Sequence, residues 1–271
     1  MSFIINPYSV QPSIPPFSFL LDTYSGAATA YSLRKLRSAY SGNCIRVRRS
    51  SDNTEQNIGF VSNVLDTTSL LSFVGAGDGF VTTWYDQSGN AVNATNGVAS
   101  TQPQIVSSGS LVTIGGGFPA MSSLGKQLTN FQTNATTQAT FIGLENSSTG
   151  NGSLYALPFT SLGGEGGSVY CGIVSSGDGS LPYSSFGTPT YYKNNSSITA
   201  TRAALFTAFA TGSKSICSII GGGSTTSNRV LQYLSFLSGN YKAFEVVIYN
   251  SNQSSNITGI NTNINSFYSI Y

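Results

Sequence analysis

The chain has 271 residues with 12 basic and 10 acidic side chains. Charged residues make up 8 % of it, against about 25 % in ordinary soluble domains. The sequence contains no histidine, which excludes Ser-His-Asp and Cys-His relays and imidazole metal sites. A net charge of +2 gives no large field for nucleic acid, so we expect no nucleic-acid partner. The remaining Ser, Thr, Asn, Gln, Gly and Tyr surface is typical of all-β proteins.

Neither a membrane segment nor a metal or redox motif is present in the sequence. The longest uncharged apolar stretches, such as 203–210, fall short of the ~18 residues that a membrane helix needs, so we expect no membrane insertion. Cys44, Cys171 and Cys217 are isolated and form no CxxC pair, which leaves them as small buried apolar residues. We therefore expect no cofactor and no metal.

Residues 1–19 differ from the rest of the chain because prolines alternate with large apolar residues. Proline fixes extended backbone and removes hydrogen-bond donors. Two interpretations follow: a segment lying on its own domain, or an arm that docks into a partner protein. We favour the docking arm, with its contacts made by Phe3, Ile5, Tyr8 and Phe17, followed by one domain over 20–271.

The first part of the domain mixes helices and strands. Residues 27–41 have helical apolar spacing followed by Gly42, which predicts a helix. Residues 44–61 alternate like a β-hairpin with a turn at 51–53. Residues 66–75 predict a short helix between an Asp66 N-cap and a Gly75 C-cap. A strand over 80–89 follows and ends in a tight turn.

From residue 99 onward the pattern predicts short strands separated by Gly-, Ser- and Asn-rich turns. Ten strand candidates at this spacing indicate a β-sandwich or jelly roll. They are 104–106, 111–114, 139–144, 153–159, 168–174, 190–192, 203–210, 215–220, 231–237 and 243–249. The tail over 254–271 reads as a closing helix with an apolar face.

Two local motifs are candidates for contact with a ligand. The run from Trp84 to Asn90 is either a sugar-binding turn or a structural turn in which Asp86 bonds backbone N–H groups; we favour the structural turn. A Tyr/Asn cluster is the stronger candidate for glycan or protein contact, because recognition surfaces use these residue types. It consists of Tyr183, Tyr191, Tyr192 and Asn194.

Half of the basic residues lie in one short stretch of 16 positions. Such a patch could contact an anionic glycan or nucleic acid, but Asp52 and Glu55 lie on the same hairpin. We therefore favour salt bridges within the fold over an anion-binding role. The basic residues are Arg34, Lys35, Arg37, Arg46, Arg48 and Arg49.

Residues 22–53 and 84–95 resemble the opening of the β-sandwich domain in the fungal arabinofuranosidase B family. The Tyr-Ser-Gly turn, the Val-Arg-Arg-x-Ser-Asp hairpin and the Tyr-Asp-Gln-Ser-Gly-Asn turn occur in the same order. The end of the chain, over 244–271, resembles the last strand and closing helix of that family and of concanavalin A-like sandwiches. The resemblance implies an all-β, concanavalin A-like jelly-roll sandwich with a few short peripheral helices. The same arrangement resembles a group of bacteriophage structural proteins.

The resemblance does not assign a catalytic pair. In the enzyme family the nucleophilic Glu follows two adjacent cysteines, and this chain has no adjacent cysteines. Its nearest region offers Glu165, Cys171 and Asp178, from which no nucleophile or acid can be transferred. A retaining glycosidase needs two carboxylates about 5–5.5 Å apart. We therefore predict that the protein is not an enzyme.

The sequence thus leads to a virion hypothesis: a phage fibre, tail or decoration protein located on the particle surface. In it the arm binds other virion proteins, the lectin-like domain contacts cell-surface glycan, and the protein forms a homo-oligomer. The alternative is an arabinofuranosidase-type glycoside hydrolase acting on surface polysaccharide. A third hypothesis is a free carbohydrate-binding module.

Overall fold

A computed structural model describes residues 18–122, 126–129, 138–146, 154–155, 159–160, 172–173, 189–222, 233–236 and 241–271. Residues 1–17 of the predicted arm, including Phe3, Ile5, Tyr8 and Phe17, lie outside this set. The arm's boundary at residue 19 and its docking therefore stay predictions.

The described residues form twenty strands and four α-helices. The strands are β1 (Ala27–Ser32), β2 (Ile45–Arg49), β3 (Glu55–Ile58), β4 (Phe60–Val61), β5 (Val64–Leu65), β6 (Gly79–Trp84), β7 (Ala94–Thr95), β8 (Gln104–Ser107), β9 (Ser110–Leu111), β10 (Met121–Ser122), β11 (Lys126–Thr129), β12 (Gln138–Asn146), β13 (Leu154–Tyr155), β14 (Phe159–Thr160), β15 (Gly172–Ile173), β16 (Thr190–Lys193), β17 (Ser196–Ile198), β18 (Lys214–Gly222), β19 (Tyr233–Phe236) and β20 (Tyr241–Tyr249). The helices are α1 (Leu20–Thr23), α2 (Thr67–Val74), α3 (Arg202–Phe209) and α4 (Ile257–Tyr268).

Sixteen of these strands form one sheet, in which the order is β14-β19-β11-β7-β6-β8-β10-β20-β12-β18-β16-β17. Branching from this path, β1 pairs with β20, β2 pairs with β6 and β3, and β9 pairs with β8. The pairing is antiparallel, and β20 is central because β12 lies along one side while β10 and β1 share the other.

Strand β20 is buried on both faces, and its side chains divide between two cores. Val246 and Ile248 join one core, whereas Phe244, Val247 and Tyr249 join the other. From Val246 onward the division follows from the two-residue period of a strand, in which successive side chains point to opposite faces. Phe244 joins the second core because the register of β20 shifts at this position. Both faces of the central layer are therefore covered.

The first core fills the space between the central strands and a second layer that contains β2, β6 and β8. Val47, Val81, Trp84 and Ile105 face Val246 and its neighbours there, with Trp84 fully buried. The second core lies beneath α4 and α1 on the outer side of the central strands. The predicted fold class, an all-β sandwich with a few short peripheral helices, is confirmed.

Several elements match the sequence prediction. The hairpin of β2 and β3 forms as expected. Helix α2 has Asp66 as its N-cap, accepting from the backbone N–H of Ser69, and Gly75 as its C-cap at φ 67°. Helix α4 forms in the tail and buries Ile257, Ile260 and Ile264. No described helix has the length and apolar character to cross a membrane.

Two of the predicted elements have a different secondary structure. Residues 27–41 were expected to be helical, but β1 occupies 27–32 and pairs with β20. Small residues buried on both sides of a strand also satisfy helical spacing, so tertiary pairing decided the outcome. Residues 203–210 were expected to form a strand, but α3 forms there. Its Leu205 and Phe209, four positions apart, both enter the first core.

A bulge in β20 depends on a glycine in the neighbouring strand. The register shifts so that Gly143 pairs with Glu245 while Leu144 pairs with Ala243, which leaves Phe244 as the extra residue. A Cβ at Gly143 would overlap the ring of Phe244. The ring therefore occupies the space that a side chain at 143 would need.

We predict that Gly143→Ala lowers the free energy of unfolding by about 1–3 kcal/mol, because the methyl group forces the ring of Phe244 out of a packed core. Gly59→Ala is the matched control, since nothing lies within 4 Å of a Cβ built there. Urea unfolding measures both. Equal unfolding free energies for the two variants would contradict the packing argument.

Candidate functional site: carboxylates and their partners

The Trp84–Asn90 motif forms a structural junction around the carboxylate of Asp86. Its Oδ1 accepts from the backbone N–H groups of Ala30 (2.8 Å) and Ser88 (2.9 Å). Its Oδ2 accepts from the Ser88 hydroxyl (2.7 Å) and the Val92 N–H (3.1 Å). Asp86 is 4 % exposed, so its four hydrogen bonds compensate for removing a charge from water. The structural interpretation of this motif is confirmed.

Gln87 ties the same turn to the segment that follows β1. Its Nε2 donates to the carbonyls of Ser32 and Arg34, each at 3.0 Å, and its Oε1 accepts from the Leu36 N–H at 2.8 Å. A fully buried amide thus supplies the backbone partners that this irregular segment lacks. Asn90 contributes by donating to the carbonyls of Ala27 and Ala28.

A buried ion pair lies on the α4 side of the central strands. Arg34 and Glu245 are 1 % and 0 % exposed and meet in a two-point contact, with Nε–Oε2 at 2.7 Å and Nη2–Oε1 at 2.8 Å. The Ser32 hydroxyl also donates to Glu245, and Arg34 also donates to Asn263 of α4. The pair therefore joins β1, β20 and the last helix.

The pKa shifts around this pair have clear causes. Burial works to lower the pKa of Arg34, but the charge and hydrogen bonds of Glu245 raise it above its usual value. Burial, followed by the negative charge of Glu245, raises the pKa of the Tyr268 hydroxyl well above its usual value. The hydrogen bonds of this cluster connect β1, β20 and α4.

The other described carboxylates also have partners within the fold. Glu145 accepts from the Gly115 N–H at 2.8 Å and pairs with Lys242 at 3.1 Å. Asp52 and Glu55 pair with Arg49 and Arg46, each at 2.6 Å. The remaining three accept backbone N–H groups: Asp22 from Ser38, Asp66 from Ser69, and Asp78 from Ser108.

Acid-base chemistry would need a carboxylate, and the described carboxylates already have partners in the fold. Eight of the ten carboxylates are described, and each is bonded to an arginine, a lysine, a hydroxyl or a backbone N–H group. Glu165 and Asp178 lie outside the described residues. In the part of the chain that the structure describes, no group of three or more Cys, Asp or Glu residues could hold a metal.

The predicted contact cluster is only partly in view. Tyr191 is 4 % exposed and packs in the first core. Tyr192 is half-buried against the second core. Asn194 has φ 58°, and its Oδ1 accepts from the Ile216 N–H at 3.0 Å. Tyr183 lies outside the described residues, so the role of this cluster in glycan or protein contact stays a prediction.

Three of the six residues in the basic stretch, Arg34, Arg46 and Arg49, form the expected salt bridges. Besides the pairs of Arg34, Arg46 and Arg49, Arg37 donates to the Ser88 carbonyl at 3.0 Å. Arg48 donates to three neutral oxygens and to no described carboxylate. Of the cysteines, Cys44 and Cys217 are buried, as predicted, and neither forms a disulfide with a described residue.

The first third of the chain matches a known family. A family model described as alpha-L-arabinofuranosidase B, catalytic, matches residues 22–113. That range contains β1, the hairpin of β2 and β3, helix α2 and the whole Asp86–Gln87 junction. Comparison with curated proteins gives no significant match.

Solved structures of similar fold are also arabinofuranosidases. One is an arabinofuranosidase complexed with arabinofuranosyl-alpha-1,2-xylobiose, at 15 % identity and a TM-score of 0.54. Another is a GH54 α-L-arabinofuranosidase soaked with a cyclic sulfate inhibitor, at 14 % identity and a TM-score of 0.52. Each alignment covers 91 % of this chain and 64 % of the other. The present chain thus spans less than two thirds of the length of these structures.

These findings correct the virion hypothesis. The matches are to arabinofuranosidases, so the predictions of a non-enzyme, of a phage fibre, tail or decoration protein, and of a location on a virion are wrong. The error came from treating the missing Cys-Cys pair as evidence against the family's chemistry. The opening motifs lie within the range that the family model matches.

Sequence reasoning missed two residues that organise the site. Gln87 lies inside a recognised motif, but its role depends on the carbonyls of Ser32 and Arg34, which are more than fifty positions away. Glu245 lies in an apolar strand, and a charge in such a position signals a buried partner. The sequence could therefore have predicted that Glu245 is buried with a partner. It could not have identified Arg34 as that partner.

We predict that Glu245→Gln lowers the free energy of unfolding by about 3–5 kcal/mol, because it leaves the Arg34 guanidinium buried without a counter-charge. Glu55→Gln is the control: it removes the same charge from the exposed pair with Arg46, where side-chain exposures are 44 % and 33 %. That change should cost about 1 kcal/mol or less. Equal losses in chemical denaturation would refute the distinction.

Proposed function

We propose that this domain is a glycoside hydrolase of the arabinofuranosidase type, which removes arabinofuranosyl groups from a polysaccharide. The supporting observation is that the family match over 22–113 coincides with the junction built by Asp86 and Gln87 on β1 and β6. The similar folds of arabinofuranosidases over 91 % of the chain agree with this. We also propose that the sandwich belongs to the concanavalin A-like jelly-roll class.

Hydrolysis of a glycosidic bond needs two carboxyl groups on opposite sides of that bond. One protonates the leaving oxygen, and the other acts as nucleophile or activates water. The eight described carboxylates are engaged in structural contacts, and Glu245 and Asp86 are buried as well. We therefore propose Glu165 and Asp178 as the catalytic pair. Substrate glycan contact by Tyr183 and Tyr192 is part of the same proposal.

The test is hydrolysis of 4-nitrophenyl α-L-arabinofuranoside, a compound soaked into one of the similar structures. The wild-type protein should release nitrophenol. Glu165→Gln and Asp178→Asn should each lower kcat/KM by about 10²–10⁴-fold, the usual contribution of an acid or base in the transition state. Circular dichroism of each variant checks that the fold is intact.

Glu55→Gln and Asp52→Asn are the matched controls, since both remove an exposed carboxylate that already has an arginine partner. Both should keep wild-type kcat/KM. A folded wild-type protein without activity on arabinofuranosides would overturn the proposed function. Full activity in Glu165→Gln or Asp178→Asn would overturn the assignment of the pair.

A further inference from the structure

The outer face of β2, β3 and β6 carries a group of polar and aromatic side chains, here called the arginine face. Its members are Arg46, Arg48, Glu55, Asn57, Phe80 and Tyr85. Strand pairing brings them together, since Arg46 pairs with Asn57 and Arg48 pairs with both Glu55 and Phe80. These side chains are half-buried or exposed, whereas Ile45 and Val47 between them point into the core.

The two arginines of this face differ in how their charge is balanced. Arg46 pairs with Glu55 at 2.6 Å. Arg48 donates its Nε–H to Gln102 Oε1 at 2.7 Å, one Nη1–H to Asn53 Oδ1 at 2.7 Å, and one Nη2–H to the Ala99 carbonyl at 3.4 Å. Those acceptors are all neutral. The arginine face therefore carries one positive charge that no carboxylate of the face balances.

Arg48 is both held in place and able to bind further. A guanidinium has five N–H donors, and bonds to the described residues use three of them, which leaves one N–H on each terminal nitrogen without a described partner. Its carbon lies 4.8 Å from the centre of the Phe80 ring, a stacking contact that fixes the plane. A preoriented fork of this kind suits a carboxylate and loses little conformational entropy on binding.

The neighbouring groups suit a sugar. Tyr85 lies half-buried, and its hydroxyl donates to Asn57 Oδ1 at 2.8 Å, which leaves the Asn57 amide nitrogen to donate elsewhere. Sugars present C–H faces that pack on aromatic rings and hydroxyls that bond to amides and guanidiniums. A flat sheet surface with these groups fits an extended glycan chain better than a compact ligand.

The opposite side of the sandwich offers no comparable surface. There α4 covers the central strands. Helix α2 contacts β2 and β3 through Leu70 and Val74, which belong to the first core, so it lies on their inner side. Among the described elements, none of the helices covers the arginine face.

We propose that the arginine face is a polysaccharide-binding surface and that it recognises a glycan carrying isolated uronate groups. Arg48 would bind the sugar carboxylate, while Arg46, Asn57 and Tyr85 contact adjacent hydroxyls and ring faces. A single unbalanced charge favours a sparsely acidic chain. Nucleic acid has a phosphate at every unit and usually needs several cationic contacts.

The test measures binding of glucuronoxylan, a xylan with occasional glucuronate branches, by affinity electrophoresis and calorimetry. The matched ligand is the same polymer with its carboxyl groups reduced to alcohols. We expect the native polymer to bind at least about tenfold more tightly than the reduced one. Equal binding of the two polymers, or tighter binding of a single-stranded oligonucleotide, would overturn the proposal.

Three variants test which arginines contribute to glucuronoxylan binding. Arg48→Gln and Arg46→Gln should weaken glucuronoxylan binding about tenfold or more, whereas Arg49→Gln, which removes an equal charge from the pair with Asp52, should leave it unchanged. Equal weakening by Arg49→Gln would mean that only net charge matters. If Arg48→Gln unfolds, the binding measurement on Arg46→Gln tests the proposal instead. That variant should stay folded, because removing the Arg46 guanidinium leaves only the surface carboxylate of Glu55 without its partner. All folded variants should keep wild-type activity on nitrophenyl arabinofuranoside, so a failure here is distinct from failure of the hydrolase proposal.

Discussion

The pairing of the first and last strands is the interaction on which the rest of the fold depends. Strand β20 is covered on both faces, and β1 and β12 supply its hydrogen bonds on either side. A strand in this position is favourable only if the buried charge of Glu245 is neutralised. Arg34 neutralises it, and the same arginine reaches α4 through Asn263. Two adjacent strands and a helix are thus joined at one buried pair.

The Asp86–Gln87 junction performs the same task at the start of the domain. The segment after β1 is irregular, so its backbone groups have few partners in the sheet, and one carboxylate and one amide supply them. Both networks consume polar side chains inside the protein. Each described carboxylate has a structural partner. The arginine face differs, because no carboxylate of that face pairs with Arg48.

The sequence correctly predicted those elements whose ends are marked by capping or turn residues. Helix α2 was found from Asp66 and Gly75, and the β2–β3 hairpin from its alternation and turn. Prediction failed at β1 and α3, since short apolar runs satisfy both strand and helix periods until a partner is known. The virion hypothesis was wrong because the missing Cys-Cys pair, a single local feature, was given more weight than the motifs at 22–53 and 84–95, which lie in the range that the family model matches.

The contact between β1 and β20 joins residues more than two hundred positions apart, and Asn263 of α4 donates to the Ser18 carbonyl across a similar separation. During synthesis, the earliest strand must therefore wait for almost the whole domain to emerge from the ribosome before it can pair. Topologies dominated by such distant contacts fold slowly. Until β20 arrives, β1 lacks the strand with which it pairs in the folded protein.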